Sequence, residues 1–379
     1  MGKQINMLAT GELILNMEEN PTYYFEHVKE LFDSADLVVG HLENMHTDRP
    51  YRQGGYVAPT SPMKNIVGVK YAGFDIVTLA SNATYMSGPP GIEDTISWLD
   101  ENGIAHVGAG MDITEARKPR ILEREGVKFG FLSYNCLGGD AAAAHEKPGC
   151  AYVDIVTYYH PPMFPGGKPV TYTFAERHSL EAMREDIRAL RPICDVLVVA
   201  IHAGMGFDEG VLADYEYHVP REAINAGADL ILANHSHVLK AIEFYRGVPI
   251  YHCLCNLVTV FPWHVHRMFM QEEQTTLNRS RIRPRSGYSK HWLNMEHPNY
   301  PFPDISLNSI IGKILVDADT KKITQIGFIP VRINNEGQPI PVGNDELGRG
   351  VVEYMEKVTK IAECNAKYKW DGDEVIAYY

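Results

Sequence analysis

No run of about 18 apolar residues, the length a helix needs to cross a bilayer, occurs in this 379-residue chain. The N-terminal stretch MGKQINMLATGELIL also lacks the basic, apolar and small-residue order of a signal peptide. A cytoplasmic location without a membrane partner is therefore expected. Basic charge is scarce too: Lys and Arg total 35 against 48 Asp and Glu, a net charge of −13. That balance opposes non-specific binding to nucleic acid or to an anionic surface, and a small-molecule partner fits better. The six cysteines, Cys136, Cys150, Cys194, Cys253, Cys255 and Cys364, form no CxxC pair and read as reduced structural thiols. Nucleotide loops are missing, because GAGMD at Gly108 lacks the full GxGxxG spacing and no GxxxxGK[ST] occurs. There is no GxSxG elbow, and HEKPG at His145 is not HExxH, so neither a serine hydrolase nor a zincin is supported. Repeats and low-complexity linkers are absent as well, which favours a single elaborated domain over residues 1–379.

What is present is a rhythm. Short runs rich in Val, Ile and Leu recur: INMLATG from Ile5, DLVVG from Asp36, DIVTLAS from Asp75, VKFGFLSYN from Val127, DVLVVAI from Asp195, DLILAN from Asp229 and PIYHCLCN from Pro249. Buried parallel strands read as such continuous runs. Helix-like segments lie between them, over 23–33, 91–102, 179–190 and 215–226. Strand followed by helix, repeated, predicts a layered α/β fold with a mainly parallel sheet. Two excursions interrupt it. One, near 138–170, holds an alanine run and HPPMFPGGKP; the other, near 261–303, is polar, contains RSRIRPR and ends in HPNYPFPD. Long excursions of this kind read as lids or substrate loops. The tail IIGKILVDADTKKITQIGFIPVRI predicts a hairpin, with a helix around 345–363 after it.

In open α/β sheets the ligand crevice lies beyond the carboxyl ends of the strands. The residues there are rich in metal-binding groups: Glu12, then His41 and Glu43, then Asn82, His202, and finally His235 and His237. Oxygen donors mixed with neutral nitrogens suit Mn, Fe or Zn better than Ca or Mg. In an extended segment residues two apart face the same side, so His235 and His237 are expected to address one centre while Ser236 points away. A lone strand-end histidine is commonly structural, but placement after successive strands marks a site.

On these residues the chain resembles the CapA family of poly-γ-glutamate (capsule) synthesis proteins, which belongs with the calcineurin-like metallophosphoesterases in fold. The resemblance runs through GELIL, ADLVVGHLE, GFDIVTLASN, ENGIAHVGAG, DVLVVAIHAG, AGADLILANHSHVLKAIEFYRGVPIYHCLCNLV and IPVRINNEGQPIPV. Its most specific part is AGADLILANHSHVLKAIE with the spacing to CNLV, similar to the family's Gly-His-x-Pro-His and Gly-Asn-Phe-Val segments. The resemblance implies a four-layer α/β/β/α sandwich with one or two metal ions at its rim. It also implies ligand roles for Glu12, Glu43, Asn82, His202, His235 and His237. Glu12 stands where the family usually has Asp, and His41 where Asn is usual. Ala83 occupies the histidine of the Asn-Asn-His motif, which the wider group uses to deliver a proton to the leaving group. A positioned acid or base is typically worth about 10² to 10⁴ in rate, so ordinary phosphoester hydrolysis is disfavoured.

A metal in that shell lowers the pKa of a bound water to about 7 and so supports hydrolysis without a protein nucleophile. The expected activity is a metal-dependent hydrolase acting on a small carboxylate-bearing amide, ester or related bond, with His41 or Tyr85 as replacement proton donors. Substrate contacts are expected from His264, His266 and Arg267; the arginines at 279, 281, 283 and 285 have guanidinium forks that suit carboxylate or phosphate, but a solvated loop or an oligomer contact accounts for them equally simply. Competing readings are a phosphoesterase, an Fe(II) oxygenase or lyase on the same ligands, and a non-catalytic member of the family. A homo-oligomer is compatible with all of these.

Overall fold

The computed structural model describes residues 2–17, 20–53, 56–57, 61–162, 164, 169–260, 300 and 302–379. In chain order its main elements begin with β1 (Gln4–Leu15), α1 (Glu26–Asp33), β2 (Leu37–Leu42), α2 (Met63–Ala72), β3 (Ile76–Thr78), α3 (Gly88–Glu101) and β4 (Ala105–Val107). The middle of the chain forms β5 (Arg120–Arg124), β6 (Val127–Asn135), β7 (Ile155–His160), β8 (Val170–Ala175), α4 (Arg177–Leu190), β9 (Val196–Ala203) and α5 (Asp214–Ala226). After these come β10 (Leu230–His235), β11 (Ile242–Tyr245), β12 (Val248–Tyr251), β13 (Asn256–Val260), β14 (Asn308–Asp317), β15 (Lys322–Ile333), α6 (Glu346–Ile361), β16 (Lys367–Asp371) and β17 (Glu374–Tyr378).

Two large sheets hold most of the strands. A ten-stranded sheet runs in the order β16-β17-β15-β14-β1-β2-β3-β4, with β13 also on β1 and a short strand, Pro339–Pro341, on β15. A six-stranded sheet runs β11-β12-β10-β9-β6-β5. Ile5, Met7, Val39 and Ile76 of the first sheet pack against Phe129, Phe131, Val198 and Leu232 of the second, and α6 adds Val351, Met355 and Val358 to this inner core. Leu8, Val38 and Val77 point the other way, under Phe25, Val28 and Phe32 of the first helical layer and Ile66, Val69 and Leu99 of α2 and α3. Leu197, Val199 and Ile201 likewise meet Met183, Ile187, Val219 and Ala223 of α4 and α5. Both faces of each central strand are thus covered, which explains the unbroken apolar runs, and the expected four-layer α/β/β/α sandwich is present. Each such side chain contributes about 1.5 to 3 kcal/mol through burial.

Register is set at the end of the strands away from the candidate site. Asp36, Asp75, Asp195 and Asp229 each precede a strand, and each clamps the strand before it. Their N–H groups donate to the carbonyls of Asn6, Val38, Lys128 and Leu197. Their carboxylates accept the N–H groups of the same four residues at 2.7–2.8 Å. Four strand pairs are therefore fixed in phase by one repeated device.

Several expectations are corrected. The larger sheet is mixed, because β14 to β17 join it antiparallel. PIYHCLCN is not one strand: β12 lies in the smaller sheet and β13 in the larger, and the chain crosses between them over 252–255 with Cys255 at φ 65°. The α2 helix was not anticipated, since Asn65 and Gly68 on its buried face obscure the pattern. Asn65 is buried because its Nδ2 donates to the carbonyls of Leu15 and Met17. Half of the first excursion is a two-stranded ribbon, β7 with β8. The second lies almost entirely outside the described residues. Among the described residues no helix is long and apolar enough to cross a membrane.

Candidate metal centre

Parallel pairing brings Glu12 of β1 level with His41 of β2 on one side and with Asn256 of β13 on the other. Glu12 and His41 lie within their strands rather than after them, because both strands run further than their apolar cores suggest. Gly11 makes the close approach of β13 possible. A Cβ there would stand 2.1 Å from the Cys255 carbonyl oxygen, the acceptor of the Glu12 N–H at 2.9 Å. Glu43 follows β2, held through its carbonyl by the Ser81 hydroxyl at 2.7 Å, and Asn82 is the next residue after Ser81. His202 lies in β9 and His235 ends β10.

His235 and His237 are not in extended backbone. Their φ angles are 110° and 51°, so the segment turns sharply, and it is this turn that aims both rings at the centre. Ser236 between them is buried. Gly204 leaves room for it, since a Cβ there would meet the Ser236 hydroxyl at 2.4 Å.

The residues gather into two adjoining clusters. In one, His237 Nδ1 lies 3.7 Å from Glu12 Oε2, and His237 Nε2 lies 4.0 Å from Glu43 Oε2. In the other, His202 Nε2 lies 2.6 Å from Asn82 Oδ1 and 3.1 Å from His235 Nδ1. Glu12 joins the two, its Oε1 standing 3.9 Å from His202 Nδ1. Each cluster has a supporting chain of hydrogen bonds. His202 Nδ1 meets His41 Nε2 at 2.9 Å, and His41 Nδ1 meets Thr78 Oγ1 at 2.8 Å. His237 Nδ1 donates to Asn256 Oδ1 at 2.8 Å, Asn256 Nδ2 donates to the Tyr300 hydroxyl, and that hydroxyl donates to the Ser306 carbonyl. Phe207 stacks on the His237 ring, with Phe302 tilted against it at 4.6 Å.

The electrostatics suit a cation. Burial holds His41 down at about 4 and His235 at about 3, and burial with neighbouring imidazoles keeps His202 well below its ordinary value. These rings are neutral near pH 7, the form that ligates metal. Burial, reinforced by the Glu43 charge, raises the Glu12 carboxyl. Burial pushes Glu43 up too, but the Glu12 carboxyl and the imidazoles of His237, His235 and His41 outweigh it and hold Glu43 low. Both oxygens of Glu12, and Oε2 of Glu43, are buried with no hydrogen-bond partner. Orphaned carboxylate oxygens beside neutral imidazoles are costly without a cation, and the mixed O and N donor set fits a divalent transition metal.

A family model described as bacterial capsule synthesis protein PGA_cap matches residues 3–260. The chain belongs to this family. All six residues expected as ligands fall inside the matched stretch of this capsule synthesis protein family member. The PGA biosynthesis protein CapA of Bacillus subtilis is 28% identical over 243 residues, covering 63% of this chain and 57% of that protein. The capsule biosynthesis protein CapA of Bacillus anthracis is 25% identical over 248 residues, covering 64% and 54%. The match thus spans little more than half of these relatives. Among solved structures, a phosphatase from Mycoplasma pneumoniae aligns with a TM-score of 0.49 at 13% identity, over 88% of this chain and 95% of that one.

The structure brings Glu12, His41, Glu43, Asn82, His202, His235 and His237 together. Tyr85 is turned elsewhere: its ring packs against Tyr51, with the Lys147 ammonium 4.7 Å above it. Burial and Tyr51 push its hydroxyl up to about 12, which weakens it as an acid. His264, His266 and Arg267, and the arginines at 279–285, lie outside the described residues. Thr78, Asn256 and Tyr300 were missed as site residues. Asn256 stands in the CNLV segment that carries the family resemblance, so its signal was present in the sequence.

Proposed function

We propose that this family member is a metal-dependent hydrolase acting on a small, anionic, carboxylate-bearing substrate at an amide, ester or related bond. The observation that carries this reading is the group of orphaned carboxylate oxygens of Glu12 and Glu43 facing the imidazoles of His202 and His237. Glu12, Glu43 and His237 would hold one side of the centre, and Asn82, His202 and His235 the other, for one or two ions of Mn, Fe or Zn. Bound there, the metal supplies Lewis-acid polarisation and an acidified water.

The chain's own side chains do the rest. His41 acts as a positioning residue: with both ring nitrogens engaged, it orients His202 through Nδ1 and leaves Nε2 directed at Asn82 and His235. Asn256 does the same for His237, leaving its Nε2 towards Glu43. Phe207 and Phe302 shield the His237 ring from water. Ala83 leaves no imidazole at the family's proton-delivery position, which favours a bond other than an ordinary phosphomonoester. The PGA biosynthesis named for the Bacillus subtilis relative supports a carboxylate-bearing substrate. His264, His266 and Arg267, which follow β13 in the sequence, are the proposed substrate contacts.

The test is elemental analysis of protein purified without added metal, followed by chelation and a hydrolysis panel of γ-glutamyl amides, carboxylate esters and phosphomonoesters. One or two equivalents of a transition metal, with amide or ester turnover that is lost on chelation and restored anaerobically, is the expected result. Full activity in the stripped protein, or turnover that requires oxygen, would overturn the reading.

A further inference from the structure

The ribbon of β7 and β8 inverts the usual arrangement of an amphipathic sheet. Its register pairs Val156 with Phe174, Tyr158 with Tyr172, and His160 with Val170, which places these six side chains on one face. Ile155, Thr157, Tyr159, Thr171, Thr173 and Ala175 form the other face. This second face meets the body of the protein at its base, through Ile155, Thr173 and Ala175, while Thr157, Tyr159 and Thr171 further out are exposed. Ala175 and Ile155 join the core beneath α4 and α5. Thr173 is tied to the start of α5, its N–H donating to Asp214 Oδ2 at 3.0 Å and its hydroxyl accepting from the Tyr215 N–H at 3.3 Å. The aromatic face is left to solvent: Val156, Tyr158, Val170, Tyr172 and Phe174 are between 38% and 52% exposed, and Phe164 beyond the strands is 72% exposed. A two-stranded ribbon on its own is marginally stable, and a contiguous apolar patch on a soluble protein marks an interaction surface.

We propose that this face pairs with the same face of a second copy of the chain, ribbon against ribbon about a two-fold axis near the Tyr158 and Tyr172 pair. Charge favours that occupant. Neither strand contains Asp, Glu, Lys or Arg, although the whole chain carries a net charge of −13. Two copies therefore meet here without carboxylate opposing carboxylate, whereas an anionic lipid surface or a nucleic acid finds no cation on the ribbon strands to hold it. The residue types suit self-association too, because aromatics facing aromatics are complementary under a two-fold operator. Area sets the strength. Fully buried aromatics hide about 150–250 Å² each, so these half-exposed side chains offer on the order of 450 Å² per copy. Two copies hide roughly 900 Å², just under the usual size of a specific interface, so the dimer is a weak, reversible one.

The experiment is sedimentation velocity on the full chain over a series from micromolar to several hundred micromolar, beside the double variant Tyr158→Ser/Tyr172→Ser. The wild type is expected to pass from monomer to dimer within that range. The variant is expected to stay monomeric while its melting temperature and bound metal remain those of the wild type, since both tyrosines are about half exposed and, among the described residues, neither belongs to a core cluster or to the metal centre. A wild type that is monomeric throughout, or a variant that dimerises as the wild type does, overturns the proposal. So does a monomeric wild type that co-sediments with phosphatidylglycerol vesicles, an outcome that assigns the face to a lipid surface.

Discussion

Replacing Glu12 by glutamine separates two properties of its carboxylate: the cost of burying it and its value to a cation. The side chain is fully buried and neither oxygen has a hydrogen-bond donor. Glutamine keeps the volume and removes the charge, so the metal-free variant should be at least as stable as the metal-free wild type at neutral pH. The pH dependence has a definite sign. A carboxyl whose folded pKa is raised binds its proton more tightly in the folded state, so metal-free wild type loses stability as pH rises above the ordinary carboxyl range. The variant lacks this contribution. With metal the order reverses. An ion at a hundred to a thousand times its Kd stabilises the folded state by about 2.7 to 4.1 kcal/mol. Unfolding entropy of about 2.1 cal/mol/K per residue gives roughly 0.8 kcal/mol/K for a chain of 379 residues, and hence a rise in Tm of about 3 to 5 °C. Loss of the anionic ligand should reduce that rise to under about 1 °C in Glu12→Gln. Differential scanning calorimetry after chelation, repeated with Mn, Fe(II) or Zn, reads both effects. A wild type indifferent to all three metals, or a variant with the full metal-induced shift, refutes the reasoning.

His41→Phe keeps a ring of similar size but abandons His202 Nδ1, and metal affinity measured by titration calorimetry should fall about 10- to 100-fold; an unchanged Kd would show that the imidazole pair is only packing. Gly11→Ala places a methyl 2.1 Å from the Cys255 oxygen and must push β1 and β13 apart. Denaturant unfolding should register a loss of about 1 to 3 kcal/mol, and metal content should drop with it. Asp195 carries an opposite pH signature. Burial alone would raise its carboxyl, but the Lys128 N–H and the Lys321 ammonium outweigh it and hold it below the ordinary value. Its contribution is present above the unfolded pKa and disappears as pH falls through the lower folded value. Asp195→Asn should therefore cost about 1 kcal/mol at pH 7 and close to nothing in strong acid, a convergence that urea titrations at several pH values can follow.

The layered fold was legible because central strands buried on both faces leave continuous apolar runs, and the clustering of Glu12, Glu43, Asn82, His202, His235 and His237 because such side chains recur at or near successive strand ends. What escaped notice escaped for physical reasons. Asn65 and Gly68 face inward on α2, so a buried amide bonding to backbone carbonyls breaks the periodicity that reveals helices. His235 and His237 were correctly paired, but for an incorrect reason: alternation along a strand was invoked where left-handed backbone does the aiming. Asn256 meets His237 and Tyr300 meets Asn256; Asn256 was in view within CNLV, but a supporting hydrogen bond leaves no spacing rule in a sequence that would have singled it or Tyr300 out. The clamping aspartates were in view as the first letters of four strand runs, yet their task depends on the neighbouring strand and only becomes visible in three dimensions.

The donors come from both halves of the sandwich: Glu12, Glu43 and Asn82 from the ten-stranded layer, His202, His235 and His237 from the six-stranded one. An ion seated among them would act as a rivet through the seam, and its grip would gauge how well two separately twisted layers keep station. Residues with no chemistry of their own, such as Phe129 and Ile76 deep in the join, would then tune the bite from a distance. A screen for weakened metal retention should accordingly recover aliphatic and aromatic positions alongside the ligands.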